Sequence, residues 1–252
     1  MNTNQPIFKV FQHSEDYFEM LSDSEFSRKF VIKQILFILL FTFIYGIVMG
    51  SYNGFLQSLV TGIKLPCLIL LSLLVCFPAL FVIQYMIGST MTLYQMANII
   101  LSGFFVFSTI ALSFAPIVIF FMITGDNYSF LKLLHVAIFT FSGIFAVKTI
   151  ISGLTFSCEK KNIYPKLGMQ IFKIWIVILA FVSSQLAWSL RPFVGSRELP
   201  FELVRERGSN FYVGVIQSAA NLFDPSANSA RDKQDKLLNQ QADTTLKTID
   251  VK

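Results

Sequence analysis

Two side chains with chemistry of their own fall together in an apolar stretch of the sequence: Lys132 and His135, about one helical turn apart and on a common helix face. A histidine there can relay protons or hold a ligand, because its charge changes near neutral pH; equally, it can serve as a hydrogen-bonding link between helices. A lysine at a membrane centre costs about 2.5 to 3.5 kcal/mol. Lys132, Lys148 and Lys173 all lie near the ends of apolar runs, however, where a long stem carries the ammonium back to the headgroups. Gln84, Gln95 and Asn98 crowd one turn of the chain, and Ser183, Ser184 and Gln185 lie in the last apolar run. His135, Lys132, Gln95, Asn98 and Gln185 are therefore the candidate polar intramembrane site. They either line a path for a solute or hold helices together.

What the apolar runs lack is as informative. None contains an aspartate or glutamate, which proton-coupled carriers and intramembrane aspartyl proteases require. There is no Gly-x-Ser-x-Gly nucleophile setting. Cys67, Cys76 and Cys158 form neither a Cys-x-x-Cys pair nor a Cys/His cluster, so no redox framework or zinc site is implied. A non-enzymatic protein is expected, with neither metal nor cofactor.

The elements that position these groups follow from composition. The 252-residue chain is 54% hydrophobic and 14% charged, with 28 phenylalanines and a mean hydropathy of +0.62. Soluble domains carry about 25% charged residues, so a polytopic, all-α transmembrane bundle is expected. Five runs reach the length of about 20 apolar residues that a bilayer requires: 30–50, 66–87, 95–124, 128–153 and 169–190. Pro66 would open the second at a position where a helix tolerates proline. The third is too long for a bilayer core of about 30 Å, and Pro116 is its expected bend. Short turns, Gly88-Ser89-Thr90 and Gly125-Asp126-Asn127, should make spans two, three and four sequential antiparallel neighbours. Gly46 and Gly50 form a GxxxG extended by Gly54, and Ala111 and Ala115 repeat the small-residue spacing. Such residues let backbones approach closely in lipid, either at an oligomer interface or, as the more economical reading, inside the bundle.

Both ends read as peripheral. Residues 1–29 are mostly polar. Tyr17, Phe18 and Leu21 suggest a short interfacial segment or, almost equally, a solvated linker, and Ser22 with Glu25 fits a capping box that would start the first helix about two turns before the membrane. Residues 30–191 hold the five spans, and 192–223 form an extramembrane segment. Within it Tyr212, Val215, Ile216, Ala219 and Phe223 share one helical face. A C-terminal amphipathic helix is expected there, on the membrane surface or on a partner, with Arg205, Arg207, Tyr212, Ile216 and Phe223 as docking residues. Residues 224–252 lack aromatics and read as a disordered tail.

Basic residues set the expected orientation. Lys9, Arg28, Lys29 and Lys33 share a side with Lys160, Lys161 and Lys166, while the opposite loops hold Lys64 alone. A cytoplasmic N-terminus follows, in a bacterial inner membrane or an endomembrane. Five spans then leave the C-terminus outside, although Arg191, Arg197, Arg205 and Arg207 follow the last one, interleaved with Glu198, Glu202 and Glu206. The expected partners are the lipid bilayer and other membrane proteins, not nucleic acid.

The order of parts carries a resemblance. A polar N-terminus precedes five closely spaced spans, Lys64-Leu65-Pro66 opens the second, and Gly88-Ser89-Thr90 leads through Tyr94-Gln95 into a long third. Over roughly residues 30 to 190 this resembles the Yip-domain family of five-span proteins, although that family's Asp-Leu-Tyr-Gly-Pro-type segment ahead of the first span is absent. The resemblance implies a non-enzymatic organiser of membranes that binds small GTPases or other membrane proteins.

Overall fold

The computed structural model describes residues 10, 14–21, 24–124, 128–159, 166–190, 193–194, 212–213 and 215–216. Among the described residues seven helices run in order: α1 (Ser14–Leu21), α2 (Ser24–Gly50), α3 (Phe55–Met86), α4 (Leu93–Ser113), α5 (Ala115–Thr124), α6 (Tyr128–Glu159) and α7 (Lys166–Ser189), with further helical residues at 212–213 and 215–216. Five of the helices among the described residues are long and apolar enough to cross a membrane: Phe30–Gly50, Phe55–Met86, Leu93–Thr124, Tyr128–Glu159 and Leu167–Ser189. The polytopic helical bundle expected from the sequence is thus present.

The burial pattern is that of a protein whose solvent is hydrocarbon. On α2, Ile32, Leu36, Leu40 and Ile44 point outward, while Gln34, Ile38, Thr42, Tyr45 and Met49 point inward. Apolar groups face lipid and polar groups face neighbouring helices, where their hydrogen bonds can be satisfied. The first three turns of α3 repeat this arrangement: Phe55, Leu56, Leu59 and Ile63 are exposed, whereas Gln57, Ser58, Thr61 and Lys64 are buried. That face extends the second span eleven residues upstream of Pro66, which lies inside the helix with Pro78 and does not open it. Lys64-Leu65-Pro66 is likewise mid-helix.

The third span breaks where proline requires it. α4 ends at Ser113, Phe114 caps it, and Pro116 is the second residue of α5. Because proline has no N–H, the ladder across the break is incomplete.

Lateral order differs from chain order. α2 packs against both α3 and α4, α4 against α6, and α3 against α7. α3 and α4 scarcely touch, because α2 lies between them. Spans two and three are therefore antiparallel without being neighbours; spans three and four are adjacent as expected. Residues 87–92 can extend about 20 Å, enough to step past one intervening helix, and Gly88 turns there with φ of +93°.

Glycine decides why α2 is central. A Cβ on Gly46 would lie 2.7 Å from the Thr61 carbonyl oxygen and 2.9 Å from Gly62 Cα, and one on Gly50 would lie 2.6 Å from the Gln57 oxygen. The GxxxG thus forms a backbone-to-backbone seam with α3 inside the bundle. Gly54 takes no part. It precedes α3 in the turn, a Cβ there would meet nothing within 4 Å, and its φ of +155° is what calls for glycine. On the other side of α3, Trp175 Nε1 donates to the Cys76 carbonyl at 3.0 Å and Gln84 Nε2 to that of Gly168 at 3.1 Å, fastening α7 at two levels.

At the N-terminus α2 begins six residues before Phe30, close to the two turns expected. The Ser22 cap lies outside the described residues, as does the Gly125–Asn127 turn. α1 departs from its expected interfacial position. Tyr17 and Phe18 are buried within the bundle, against α2, α4 and α6. Phe18 fills the space beside Gly153, where a Cβ would come within 2.6 Å of its ring.

Candidate functional site

Polar side chains gather in separate centres. The first lies at the end of the bundle that holds α1. Gln34 Nε2 donates to Tyr17 Oη at 2.7 Å and to Ser102 Oγ at 3.0 Å, and Tyr17 Oη and Ser102 Oγ are 2.7 Å apart. The single Ser102 proton goes to the Asn98 carbonyl at 2.6 Å, so Tyr17 is the donor to Ser102. Burial pushes the Tyr17 phenol well above its ordinary pKa, and its bonds to Ser102 and Gln34 only partly offset this; it remains a protonated donor. Gln34 is fully buried and its Oε1 finds no donor among the described residues.

The second centre is a pair. Tyr45 Oη lies 2.8 Å from His135 Nδ1, and the rings meet edge to face at 5.8 Å. His135 is 2% exposed. Tyr45 shares an apolar cluster with Ala111, Ala115, Val118 and Ile138, so the pair lies beside the break in the third span.

The third centre closes the end of the bundle opposite α1. Thr61 Oγ1 donates to the Phe193 carbonyl at 2.8 Å, and Tyr128 Oη to the Val194 carbonyl at 2.9 Å. Two consecutive carbonyls of the segment after α7 are thereby held by α3 and α6. Lys132 Nζ reaches back over the Tyr128 ring, 4.5 Å from its centroid. The ammonium thus points toward the helix start, as snorkelling requires, with a cation–π contact in addition. Lys148 and Lys173 are exposed.

The five residues expected to form one polar site do not come together. His135 and Lys132 belong to the second and third centres. Asn98 is buried beside the first, at the opposite end. Gln95 closes a capping box with Thr92: its Oε1 accepts from Thr92 N at 3.0 Å and its N–H reaches Thr92 Oγ1 at 3.3 Å. Gln185 is half-buried on α7. Gln34 and Tyr45, which mark the first two centres on α2, are eleven residues apart, about 16 Å along the axis. Phe37, Ile38 and Phe41 fill that interval, with Phe37 and Phe41 packed on Phe105 at 6.2 and 6.0 Å. Hydroxyls at this depth bond to their own helices: Thr42 to Ile38, Ser108 to Phe105 and Ser142 to Ile138. Such back-bonding satisfies a hydroxyl without a partner helix.

Sequence reasoning missed Gln34, Tyr45 and the Gln57–Ser58–Thr61–Lys64 face. Only the last had a local signal, helical spacing of polar residues directly ahead of an apolar run. Of the docking residues, Tyr212 and Ile216 are both exposed, and Arg205, Arg207 and Phe223 lie outside the described residues. No protein-family model, curated protein or solved structure matches the chain.

Proposed function

We propose that the chain is a non-enzymatic multi-pass membrane protein that serves as a scaffold or accessory subunit of a membrane complex. The observation that carries this reading is the packed apolar layer between the polar centres of α2, with the hydroxyls at its depth turned back on their own helices. A carrier builds its substrate site from polar groups at the midplane; an anchor needs only a rigid bundle. The order of spans resembling Yip-domain proteins leans the same way. Gentle detergent extraction followed by identification of co-purifying proteins tests it. A stoichiometric membrane partner is the expected result, and a lone protein that conducts a solute across liposomes would overturn it.

A second reading, a small-solute or lipid transporter component, is favoured by one feature: the broken third span beside the Tyr45–His135 pair, since discontinuous helices often line transport sites. His135→Gln separates the two. Glutamine can still bond to Tyr45, so a scaffold should keep its partner and lose less than about 1 kcal/mol of stability. Loss of function in a fully folded His135→Gln protein would overturn the scaffold reading and favour a proton-relay role for His135.

In this reading the N-terminus is cytoplasmic, as the basic residues near the spans indicate. A reporter fused after Lys252 is expected to be active only on the non-cytoplasmic side. Cytoplasmic activity would mean a missed or extra span, or a reversed orientation.

A further inference from the structure

The chain does not leave the bundle where α7 ends. Val194 is buried, and the carbonyls of Phe193 and Val194 are held by Thr61 and Tyr128, so the backbone is turned across the bundle end. It then returns to α7. Tyr212 Oη lies 3.4 Å from Ser184 Oγ, five residues before the last residue of that helix. At 1.5 Å per residue this is about 7 to 8 Å inside the helix end, within the depth at which interfacial helices seat their apolar face.

Three apolar side chains among the described residues of this short stretch are exposed, Tyr212 only in part because its hydroxyl reaches α7. Tyr212, Val213 and Ile216 are 49%, 42% and 68% exposed. Directly below them α7 exposes Phe181, Ile178 and Val177. Phe181 lies one turn from Ser184 on α7, so the exposed residues of the stretch adjoin the exposed face of this span near its end. The occupant of the span's face is hydrocarbon, because α7 is one of the membrane-length helices, and continuity assigns the adjoining stretch to the same solvent at its boundary.

We infer that residues 212–213 and 215–216 form a membrane-interface foot, with Tyr212, Val213 and Ile216 seated in the boundary between lipid headgroups and acyl chains beside the end of α7. The contact is apolar in origin. Arg191, Arg197, Arg205 and Arg207 are nearly balanced by Glu198, Glu202 and Glu206 along the connecting sequence, so seating should not need anionic lipid. The inference requires the five spans but holds for a scaffold and a transporter alike.

The test uses the full chain with Cys67, Cys76 and Cys158 replaced by alanine and one cysteine introduced by Ile216→Cys. A nitroxide is attached there, and the protein is reconstituted into phosphatidylcholine vesicles with and without phosphatidylglycerol. Collisions with oxygen, which concentrates in lipid, are compared with collisions with a water-soluble nickel chelate. Val177→Cys serves as the lipid reference and Ala242→Cys as the tail reference. The expected result is oxygen-dominated accessibility at 216, resembling 177, in both lipid mixtures. Nickel-dominated accessibility resembling 242 would overturn the inference, and so would protection from both agents, which would mean that protein covers the site. In a second variant, labelled through Val213→Cys, adding Ile216→Asp should shift position 213 from oxygen to nickel accessibility. An unchanged label would also overturn the inference.

Discussion

Leucine at both Gly46 and Gly50 is expected to abolish the folded bundle. At each position a Cβ would lie under 3.0 Å from α3, against the Thr61 oxygen and Gly62 Cα at one turn and the Gln57 oxygen and Ser58 Cα at the next. Those neighbours are backbone atoms, which have no rotamer to adopt, so the helices must separate. Overpacking a fitted core costs about 1 to 3 kcal/mol per site even where side chains can yield. Two such insertions on one seam approach the total stability of many domains, about 5 to 15 kcal/mol. Separation would also remove the bond from Ser58 Oγ to the Ile47 carbonyl, 2.8 Å in the native seam. Gly143→Leu is the control, since nothing lies within 4 Å of its Cβ position. In mild detergent the Gly143→Leu protein should elute as a single folded species, and the Gly46→Leu/Gly50→Leu protein should aggregate or unfold. Equal behaviour of the two would mean that α2 and α3 do not meet through these glycines.

That seam also shows how far local pattern reaches. The spans are legible because lipid demands long apolar runs, and the break in the third follows from Pro116. The GxxxG is legible as a close contact but not as a contact with a particular helix. Residues 55–65 are hidden by the logic of the membrane itself. Gln57, Ser58, Thr61 and Lys64 lower the mean hydropathy and so read as loop, yet in a bundle surrounded by lipid they belong to the inner face.

The polar site is legible one residue at a time. His135 stands out as an imidazole in an apolar run, but its partner Tyr45 is 90 positions away and reads as an ordinary aromatic near a span end. Gln95 reads as part of a polar path, although Thr92-x-x-Gln95 is a local capping signature. Nothing near Tyr17 in sequence announces that Gln34 and Ser102 receive it. Pairings of that kind arise from tertiary packing, on which local pattern is silent.

The docking of α1 makes a second large effect available. Phe18→Ala should release this helix from the bundle while the spans stay folded. The Phe18 ring lies 5.4 Å from that of Tyr17 and 6.3 Å from that of Phe156, above the space left by Gly153. Truncating a buried phenylalanine typically costs about 3 to 5 kcal/mol. α1 has eight residues, far below the roughly 12 to 15 at which an isolated helix becomes even marginal in water, so it has no reserve with which to absorb that loss. The consequence is local unfolding, because α2, α4 and α6 keep their own contacts. Tyr17→Phe is the milder comparison. It keeps the ring and leaves Gln34 and Ser102 bonded to each other at 3.0 Å, so a loss of about 1 kcal/mol is expected. Hydrogen exchange in detergent micelles reads both variants peptide by peptide. Phe18→Ala should erase protection over residues 14–21 with α2 and α4 unchanged, and Tyr17→Phe should lower it only slightly. If protection over 14–21 persists in Phe18→Ala, the helix is held by something other than its ring. If α2 and α4 lose protection together with α1, then α1 is an integral wall of the bundle and not a detachable one.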